Sequence, residues 1–281
     1  MRYEWHAATD VGAVRRINED SFFTSEELGV WAVADGMGGM ARGDWASAQV
    51  VACLNALRWQ PDLEATIESV VAALVQANTA ILTESEAHGA RMGTTAVVLV
   101  VRDGRFGVAW VGDSRAYLYR HRQLHRLSRD HSQVQEMVDN GIITAAEAET
   151  HRMRNVLTRA VGVLPDLAVD TIVDDLAGDD LLLLCSDGLH GVLGEGEMAE
   201  VLARAPLAEA AQILIARCHG RGAPDNITLV TVTAEEVTLV LPGNGAGSGG
   251  AGPGGSGSRE ADTQDTDTQE SGLAPDAGIQ P

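Results

Sequence analysis

One segment limits the fold of this chain more than any other. Residues 97–111 contain two apolar runs that are joined by the dipeptide Asp103-Gly104. A two-residue turn of this type connects antiparallel strands, so the segment predicts a β-hairpin. Helix-like segments lie between groups of strand-like segments and do not alternate with single strands. We therefore predict an α+β fold, with antiparallel sheets and helices packed outside them, in preference to a parallel βαβ arrangement.

The apolar patterns predict the following elements. The predicted strands are 4–9, 20–24, 29–34, 94–102, 105–111, 115–120, 168–174, 180–185, 226–233 and 236–240. The predicted helices are 43–58, 63–86, 132–140, 195–204 and 207–219. In the second helix, Leu63, Ile67 and Val70 begin an apolar series at the three-to-four spacing of a helix with one buried face.

Composition narrows the classes of function. The chain has 40 acidic and 20 basic residues, a net charge of −20, and every basic residue is Arg. A field of this sign repels nucleic acid and anionic lipid, so we expect no nucleic-acid partner and no membrane partner. The absence of Lys excludes a Walker A loop, a kinase-type catalytic lysine and a Schiff base. Cys53, Cys185 and Cys218 have neither disulfide-framework nor zinc-site spacing.

The composition changes sharply after Leu241. Residues 242–281 are rich in Gly, Ser, Pro, Thr, Asp and Gln and nearly free of large apolar residues. Such a segment buries too little surface to fold, so we predict a folded domain over 1–241 and a disordered acidic tail over 242–281. No apolar run approaches the roughly 18 residues of a membrane span, and the N-terminus lacks a signal-peptide core. We expect a cytoplasmic monomer.

Four aspartates stand at the predicted ends of strands. Asp35 and Asp187 each end an apolar run and precede a glycine, while Asp113 and Asp225 lie at the edges of other strands. Acids in these positions lie at an end of a sheet. A purely structural role in turns explains four such acids poorly. Carboxylate and carbonyl oxygens suit Mg²⁺ and Mn²⁺, whereas Zn²⁺ recruits His or Cys. The pattern therefore predicts a site for hard divalent cations.

A basic residue lies close to another acid near the N-terminus. Arg15 precedes Asp20 by five residues. A guanidinium matches the oxygens of a phosphate group, which an acidic metal site would otherwise repel. Taken alone, the segment also fits a surface ion pair; beside a set of metal ligands, we favour a phosphate clamp.

Eight motifs then follow one another over about residues 3–233. They are Arg15-x-x-Asn-Glu-Asp20, Ala-Asp35-Gly-Met-Gly-Gly39, Gly93-Thr-Thr95, Val-Gly-Asp113-Ser-Arg115, Arg129-Asp-His-Ser132, Arg154-Asn-Val-Leu-Thr-Arg159, Cys-Ser-Asp187-Gly188 and Ala-Pro-Asp225-Asn-Ile-Thr228. In this order, they resemble the metal-dependent protein phosphatases, also called protein phosphatase 2C-like, and in particular the compact bacterial members of that family.

The resemblance implies a sandwich of two antiparallel sheets flanked by pairs of helices, with a metal site at one end. It also implies two or three Mn²⁺ or Mg²⁺ ions and hydrolysis of phosphoserine and phosphothreonine monoesters by a metal-bridging hydroxide. The implied partners are phosphorylated Ser/Thr proteins and a bacterial Ser/Thr kinase whose action the enzyme opposes. The implied site residues are Asp35 and the Gly36 carbonyl, Asp187 and Asp225 for two metals, Asp113 for a third metal, Asp20 acting through water, and Arg15 on the phosphate.

The chain departs from the family pattern at three positions. Met37 and Met40 stand where many relatives have His, which leaves the general acid unassigned, and Arg152 stands where His-Pro is usual. Two alternatives remain. One is a non-catalytic regulatory member of the same fold, which would be marked by loss of a metal-site acid. The other is a serine hydrolase, since Ser114 lies in an approximate Gly-x-Ser-x-Gly motif, but a strand-like segment follows it where that motif requires a helix.

Overall fold

The computed structural model describes residues 2–38 and 42–235, with the side chains of 3–38 and 42–233. The strands of this part are β1 (Arg2–Asp10), β2 (Asp20–Ser25), β3 (Val30–Met37), β4 (Gly93–Thr94), β5 (Ala96–Arg102), β6 (Arg105–Val111), β7 (Arg115–Arg120), β8 (Gln123–Arg126), β9 (Asp170–Asp175), β10 (Leu181–Cys185) and β11 (Ile227–Glu235). Its helices are α1 (Gly43–Asn55), α2 (Leu63–His88), α3 (Gln133–Asp139), α4 (Ala145–Thr150), α5 (Asp187–His190), α6 (Glu195–Leu202) and α7 (Leu207–His219).

Two antiparallel sheets pack against each other. One has the strand order β1-β11-β10-β7-β8, and the other has the order β2-β3-β5-β6-β9, with the short β4 paired to β3. The first and last of the described strands pair along their whole length, from Arg2 opposite Glu235 to Asp10 opposite Ile227. The predicted two-sheet α+β sandwich is confirmed.

Successive side chains of a strand pack in different layers of the core, because they alternate between the two faces of the sheet. In β3, Trp31 and Val33 pack between the sheets, where they join Leu182 of β10. Ala32 lies on the opposite face and packs with α1 and α2. On the other sheet, Leu183 faces outwards and packs with α5, α6 and α7. Helices therefore cover both outer faces.

The hairpin between β5 and β6 is confirmed. Arg102 lies opposite Arg105, so the turn consists of Asp103 and Gly104. Their φ angles are 52° and 74°. Two successive positive φ angles are those of a type I′ turn, whose twist matches that of the adjoining strands.

Other element boundaries differ from the predicted ones. Helix α1 ends at Asn55, and the strand predicted over 94–102 is divided at Thr95. Strand β8 and helices α4 and α5 were not predicted, because β8 is short and polar, α4 has no buried residue and α5 has only 4 residues. The strand predicted over 236–240 and the tail predicted over 242–281 lie outside the described residues.

Among the described helices, α2 alone is long and apolar enough to cross a membrane by length and composition. Val70, Leu74 and Ile81 on this helix are fully buried in the core beneath α1 and the sheet. Packing inside the domain therefore accounts for the apolar face of α2.

Candidate active site

The five aspartates that the sequence singled out lie at one end of the sandwich. Asp20 begins β2 and pairs with Asp35 of β3. Asp113 lies in the turn between β6 and β7, Asp187 follows β10, and Asp225 precedes β11. In an antiparallel sheet the start of one strand lies beside the end of its neighbour, so Asp20 and Asp35 lie together at the end of one sheet, and Asp187 and Asp225 lie together at the end of the other. The charges of the other four all act on Asp35.

The strand that carries Asp35 continues further than predicted. We expected it to stop at Asp35, but it ends two residues later, because Gly36 pairs with Thr94 of β4. The Asp35 N–H donates to Thr95 Oγ1 at 3.0 Å, and the Asp35 carbonyl oxygen accepts from Thr94 Oγ1 at 2.9 Å. Regular extended backbone therefore holds this acid.

Gly36 is required by close packing. A Cβ at this position would lie 2.2 Å from the carbonyl oxygen of Gly43 and 2.4 Å from that of Glu19. The Gly36 N–H also donates to the Glu19 carbonyl oxygen at 3.1 Å. A side chain here would displace the start of α1 from β3.

Burial and mutual repulsion raise the pKa values of four of these acids. Burial, with smaller contributions from neighbouring carboxylates, raises the pKa of Asp20 to about 7 and that of Asp187 to about 6. The same causes raise the pKa of Asp113 to about 8, and they raise the pKa of Asp35 well above its ordinary value. In each case the charged form is disfavoured, so a cation at this end would be bound strongly.

The donor set fits hard divalent cations. Within residues 2–38 and 42–235, no three His, Cys, Asp or Glu side chains are close enough together to enclose a metal ion by themselves. Mg²⁺ and ions like it typically retain several waters and use only one or two protein carboxylates each. The five oxygen-bearing side chains at this end are therefore sufficient for more than one such ion.

Arg15 reaches the same end of the molecule. One of its terminal nitrogens donates to Asp225 Oδ2 at 2.7 Å. The Arg15 side chain is 46% exposed, so the guanidinium also faces solvent. Hydrogen bonding to Asp225 raises the pKa of Arg15, which stays charged. Both sequence interpretations are compatible with this geometry, since the ion pair is present and the Arg15 side chain remains partly exposed.

Two polar side chains hold the segments that carry Asp20 and Arg15. The sequence analysis assigned no role to either of them. Ser186 Oγ donates to Asp20 Oδ2 at 2.8 Å. Asn226 Nδ2 donates to the carbonyl oxygens of Val11 and Ile17 at 2.9 and 3.0 Å, which fixes the loop that carries the guanidinium. Each directly adjoins a motif aspartate in the sequence, and that adjacency is the signal that could have found them.

A partly buried ion pair near the acids was also missed. Arg115 donates to both carboxylate oxygens of Asp130, over 2.7–3.2 Å. Burial alone would raise the pKa of Asp130, but its hydrogen bonds with Arg115 hold that pKa below the ordinary value. Burial lowers the pKa of His190 to about 3, and its Nε2 lies 3.0 Å from the Asp113 carbonyl oxygen. The charge of Arg115 opposes the rise in the pKa values of Asp113 and Asp187, so it partly offsets their repulsion.

The position of Ser114 argues against a serine hydrolase. The residue is 1% exposed, and its hydroxyl lies 2.6 Å from Thr95 Oγ1. The strand β7 follows directly, where a nucleophile elbow requires a helix. Ser114 is a buried structural residue in this fold.

The departures from the family pattern lie in different places. Met37 ends β3, directly after Gly36, and is partly exposed at the edge of the site. Arg152 is exposed and follows α4. Met40 lies outside the described residues.

Comparisons with known proteins agree on one family. The protein phosphatase 2C profile matches residues 10–137. The serine/threonine phosphatase stp of Listeria monocytogenes serotype 4b (strain F2365) is 37% identical over 235 residues, which cover 80% of this chain and 93% of that protein.

Solved structures are similar over most of the chain. PppA of Pseudomonas aeruginosa, described as a key regulatory component of its T6SS, has a TM-score of 0.77 and 36% identity, covering 83% of this chain and 98% of that one. The catalytic domain of the phosphatase PstP, solved with two manganese ions, has a TM-score of 0.75 and 33% identity, covering 83% and 99%.

Proposed function

Since this chain belongs to the protein phosphatase 2C family of serine/threonine phosphatases, we propose that the acidic end of its sandwich is the active site. There it hydrolyses phosphoserine and phosphothreonine monoesters with two divalent cations, Mn²⁺ or Mg²⁺, and a third, weaker one. Such cations supply a water of lowered pKa and neutralise charge on the phosphoryl oxygens. The two manganese ions of the PstP structure support this choice of ion.

The acids have different roles in this proposal. Asp35 would be shared between two cations, because the charges of the other four acids all act on it. Asp187 and Asp225 complete those two sites, together with the carbonyl oxygen of Gly36. Asp113 holds the third cation with Asp187, whose charge contributes to the raised pKa of Asp113.

Two further residues act around the acids. Asp20 is held by Ser186 and acts through bound water. Arg15 binds the phosphate through the part of its guanidinium that faces solvent and orients the monoester in the acidic site. No side chain is needed as a nucleophile, so hydrolysis proceeds without a phosphoenzyme.

One observation carries the proposal, namely the convergence of five aspartates beside an exposed arginine, where burial and neighbouring carboxylates raise the pKa values of four of the five. If these carboxylates served only to stabilise the fold, most of them would be paired with cationic side chains. The regulatory alternative is disfavoured, because none of the acids that it would lose is missing.

The direct test uses the purified protein with para-nitrophenyl phosphate and with phosphothreonine peptides. We expect turnover with Mn²⁺ or Mg²⁺ and its loss on addition of EDTA, restored by excess cation. Full activity in excess chelator would rule out a metal-dependent site.

Partners and location follow as proposals. A serine/threonine phosphatase consumes the product of a protein kinase, so we propose a cognate Ser/Thr kinase acting in the same signalling process. The site is built within one chain, which supports a monomer. Free Cys53, Cys185 and Cys218 and a net charge of −20 support a cytoplasmic protein that binds neither nucleic acid nor membrane.

A further inference from the structure

A pocket of about 530 Å³ opens beside the acidic end of the sandwich. Its apolar lining comes from Met37 at the end of β3, Leu82 of α2, Met92, and the pair Val163 and Leu164. A volume of this size lies within the range of about 300–1,000 Å³ that is usual for ligand pockets. No role assigned so far uses this pocket.

The pocket adjoins the proposed active site through the main chain. Met37 directly follows Gly36, whose carbonyl we assign to a cation. Thr94 donates its hydroxyl to the Asp35 carbonyl oxygen at 2.9 Å and its N–H to the Val161 carbonyl oxygen at 3.0 Å. A single residue therefore connects the central acid to the segment that forms one wall of the pocket.

The walls of the pocket meet closely. A Cβ at Gly93 would lie 3.0 Å from the Cε atom of Met37 and 3.1 Å from Cγ2 of Val163, so both side chains contact this glycine. Gly162 has a φ of +86°, and a Cβ there would lie 2.1 Å from Cγ2 of Ile81 on α2. The wall segment therefore packs directly on the helix.

A buried asparagine holds that wall in place. Asn78 of α2 is 1% exposed, and its Oδ1 accepts from the Gly162 N–H at 2.6 Å. Its Nδ2 donates to the carbonyl oxygens of Leu164 and Pro165 at 2.9 and 3.2 Å. A wall fixed by three hydrogen bonds loses little conformational entropy when a ligand binds.

We propose that this pocket binds an apolar side chain of the substrate that lies close in sequence to the phosphorylated Ser or Thr. The inference rests on the proposed function, because the pocket adjoins the site only if the phosphate binds at the acids. A peptide whose phosphate is held there passes Met37, and the pocket is the apolar surface that continues from this residue. Val163 and Leu164 are 49% and 55% exposed and would be covered by such a side chain. The flexible side chains of Met37 and Met92 adapt to Leu, Ile, Met or Phe.

The test measures kcat/KM on phosphothreonine peptides that carry Ala at every flanking position except one, which carries Leu or Asp. We expect Leu to raise kcat/KM over Ala by about tenfold at one or two positions near the phosphothreonine, mainly through a lower KM. Asp at the same position should give no increase.

Variants then assign the preference to the pocket. Val163→Asp and Leu164→Asp should each reduce the Leu-to-Ala ratio towards one, and circular dichroism confirms folding of both. Val173→Asp is the matched control, since Val173 is 40% exposed on β9 and does not line the pocket. This control should keep the ratio of the wild type.

The outcomes are distinguishable. If the wild type hydrolyses para-nitrophenyl phosphate but shows no apolar preference at any flanking position, the pocket proposal is wrong. A preference that persists in both pocket variants would overturn it as well, because another surface would then bind the side chain. If the wild type fails to hydrolyse para-nitrophenyl phosphate with metal, the proposed function itself is wrong.

Discussion

The two ends of β10 carry aspartates in opposite surroundings. Asp180, just before the strand, is 1% exposed and receives two hydrogen bonds from Arg120, at 2.6 and 2.8 Å, and one from the Ala177 N–H at 2.7 Å. Asp187, just after the strand, has a pKa raised to about 6 by burial and by the charge of Asp225. One carboxylate is neutralised within the fold, while the other keeps its charge available for a ligand. The surrounding charges, and not the residue type or its place on a strand, separate a structural acid from one proposed to bind a cation.

We expect the largest loss of turnover when a carboxylate of the proposed active site is removed. Asp35→Asn removes the carboxylate that all four neighbouring acids act on, so we expect turnover to fall by several orders of magnitude and the affinity of both tight cations to fall. Kinetics and metal titration by calorimetry measure the two effects, with circular dichroism as a folding check.

Asp113→Ala tests whether the acids of this cluster have different roles. This variant should keep two tightly bound cations and lose only part of the turnover, because Asp113 is assigned to the weaker third site. The ligand assignment would be reversed if Asp113→Ala lost both tight cations and Asp35→Asn kept them.

The phosphate clamp should give the next largest effect. Arg15→Ala removes a charge-assisted contact, and we expect kcat/KM for para-nitrophenyl phosphate to fall by about tenfold to a hundredfold with a raised KM. Mn²⁺ affinity should change little. The adjacent, exposed Arg16→Ala is the matched control, and equal losses in the two variants would mean that general positive charge, and not the clamp, matters.

At the structural end, the expected effect is on stability alone. Asp180→Asn breaks the paired hydrogen bonds with Arg120, so the free energy of unfolding should fall by about 2 kcal/mol. Turnover at saturating cation should equal that of the wild type. A large loss of kcat in the folded variant would show that the two ends of β10 are not functionally separate.

A further expected effect is a dependence of stability on pH in chelator. The folded-state pKa values of Asp20, Asp113 and Asp187 are raised to about 7, 8 and 6, so the folded state holds protons that the unfolded state releases. This contribution favours folding below the unfolded pKa of about 3.9 and is lost as the pH rises through 6 to 8. In EDTA, the melting temperature should therefore fall between pH 5 and pH 8, and Mn²⁺ should reverse the fall. A melting temperature that stays level or rises over this range would contradict the proposed charge repulsion.

Local patterns made part of this structure predictable. The apolar runs ending at Asp35 and Asp187 gave both the strands and the acids, because strand burial and the following glycine are encoded within a few residues. The hairpin turn at Asp103-Gly104 was predictable for the same reason. Family resemblance, and not spacing, supplied the roles of the acids.

The remaining features depend on contacts between distant parts of the chain. Arg115 and Asp130 form an ion pair only because β7 and the segment after β8 are brought together, and Asn226 reaches a loop more than 200 residues away in sequence. Helix α4 has no buried residue, so its sequence shows no apolar periodicity. The capping box formed by Thr144 and Glu147 is its local signal. The pocket likewise depends on how α2 packs against the wall segment.

The pairing of β1 with β11 has a consequence for the newly made protein. Arg15 and Asp20 follow β1, whereas Asp225 directly precedes β11, and these segments are joined by the hydrogen bond from Asn226 to the Ile17 carbonyl oxygen. During synthesis, while β11 is still inside the ribosome, the first strand has no partner and the proposed metal ligand Asp225 is not yet in place. Long-range pairing of this kind forms late in folding. Dephosphorylation should therefore begin only after almost the whole folded domain has been made, so that truncated chains do not act on phosphoproteins.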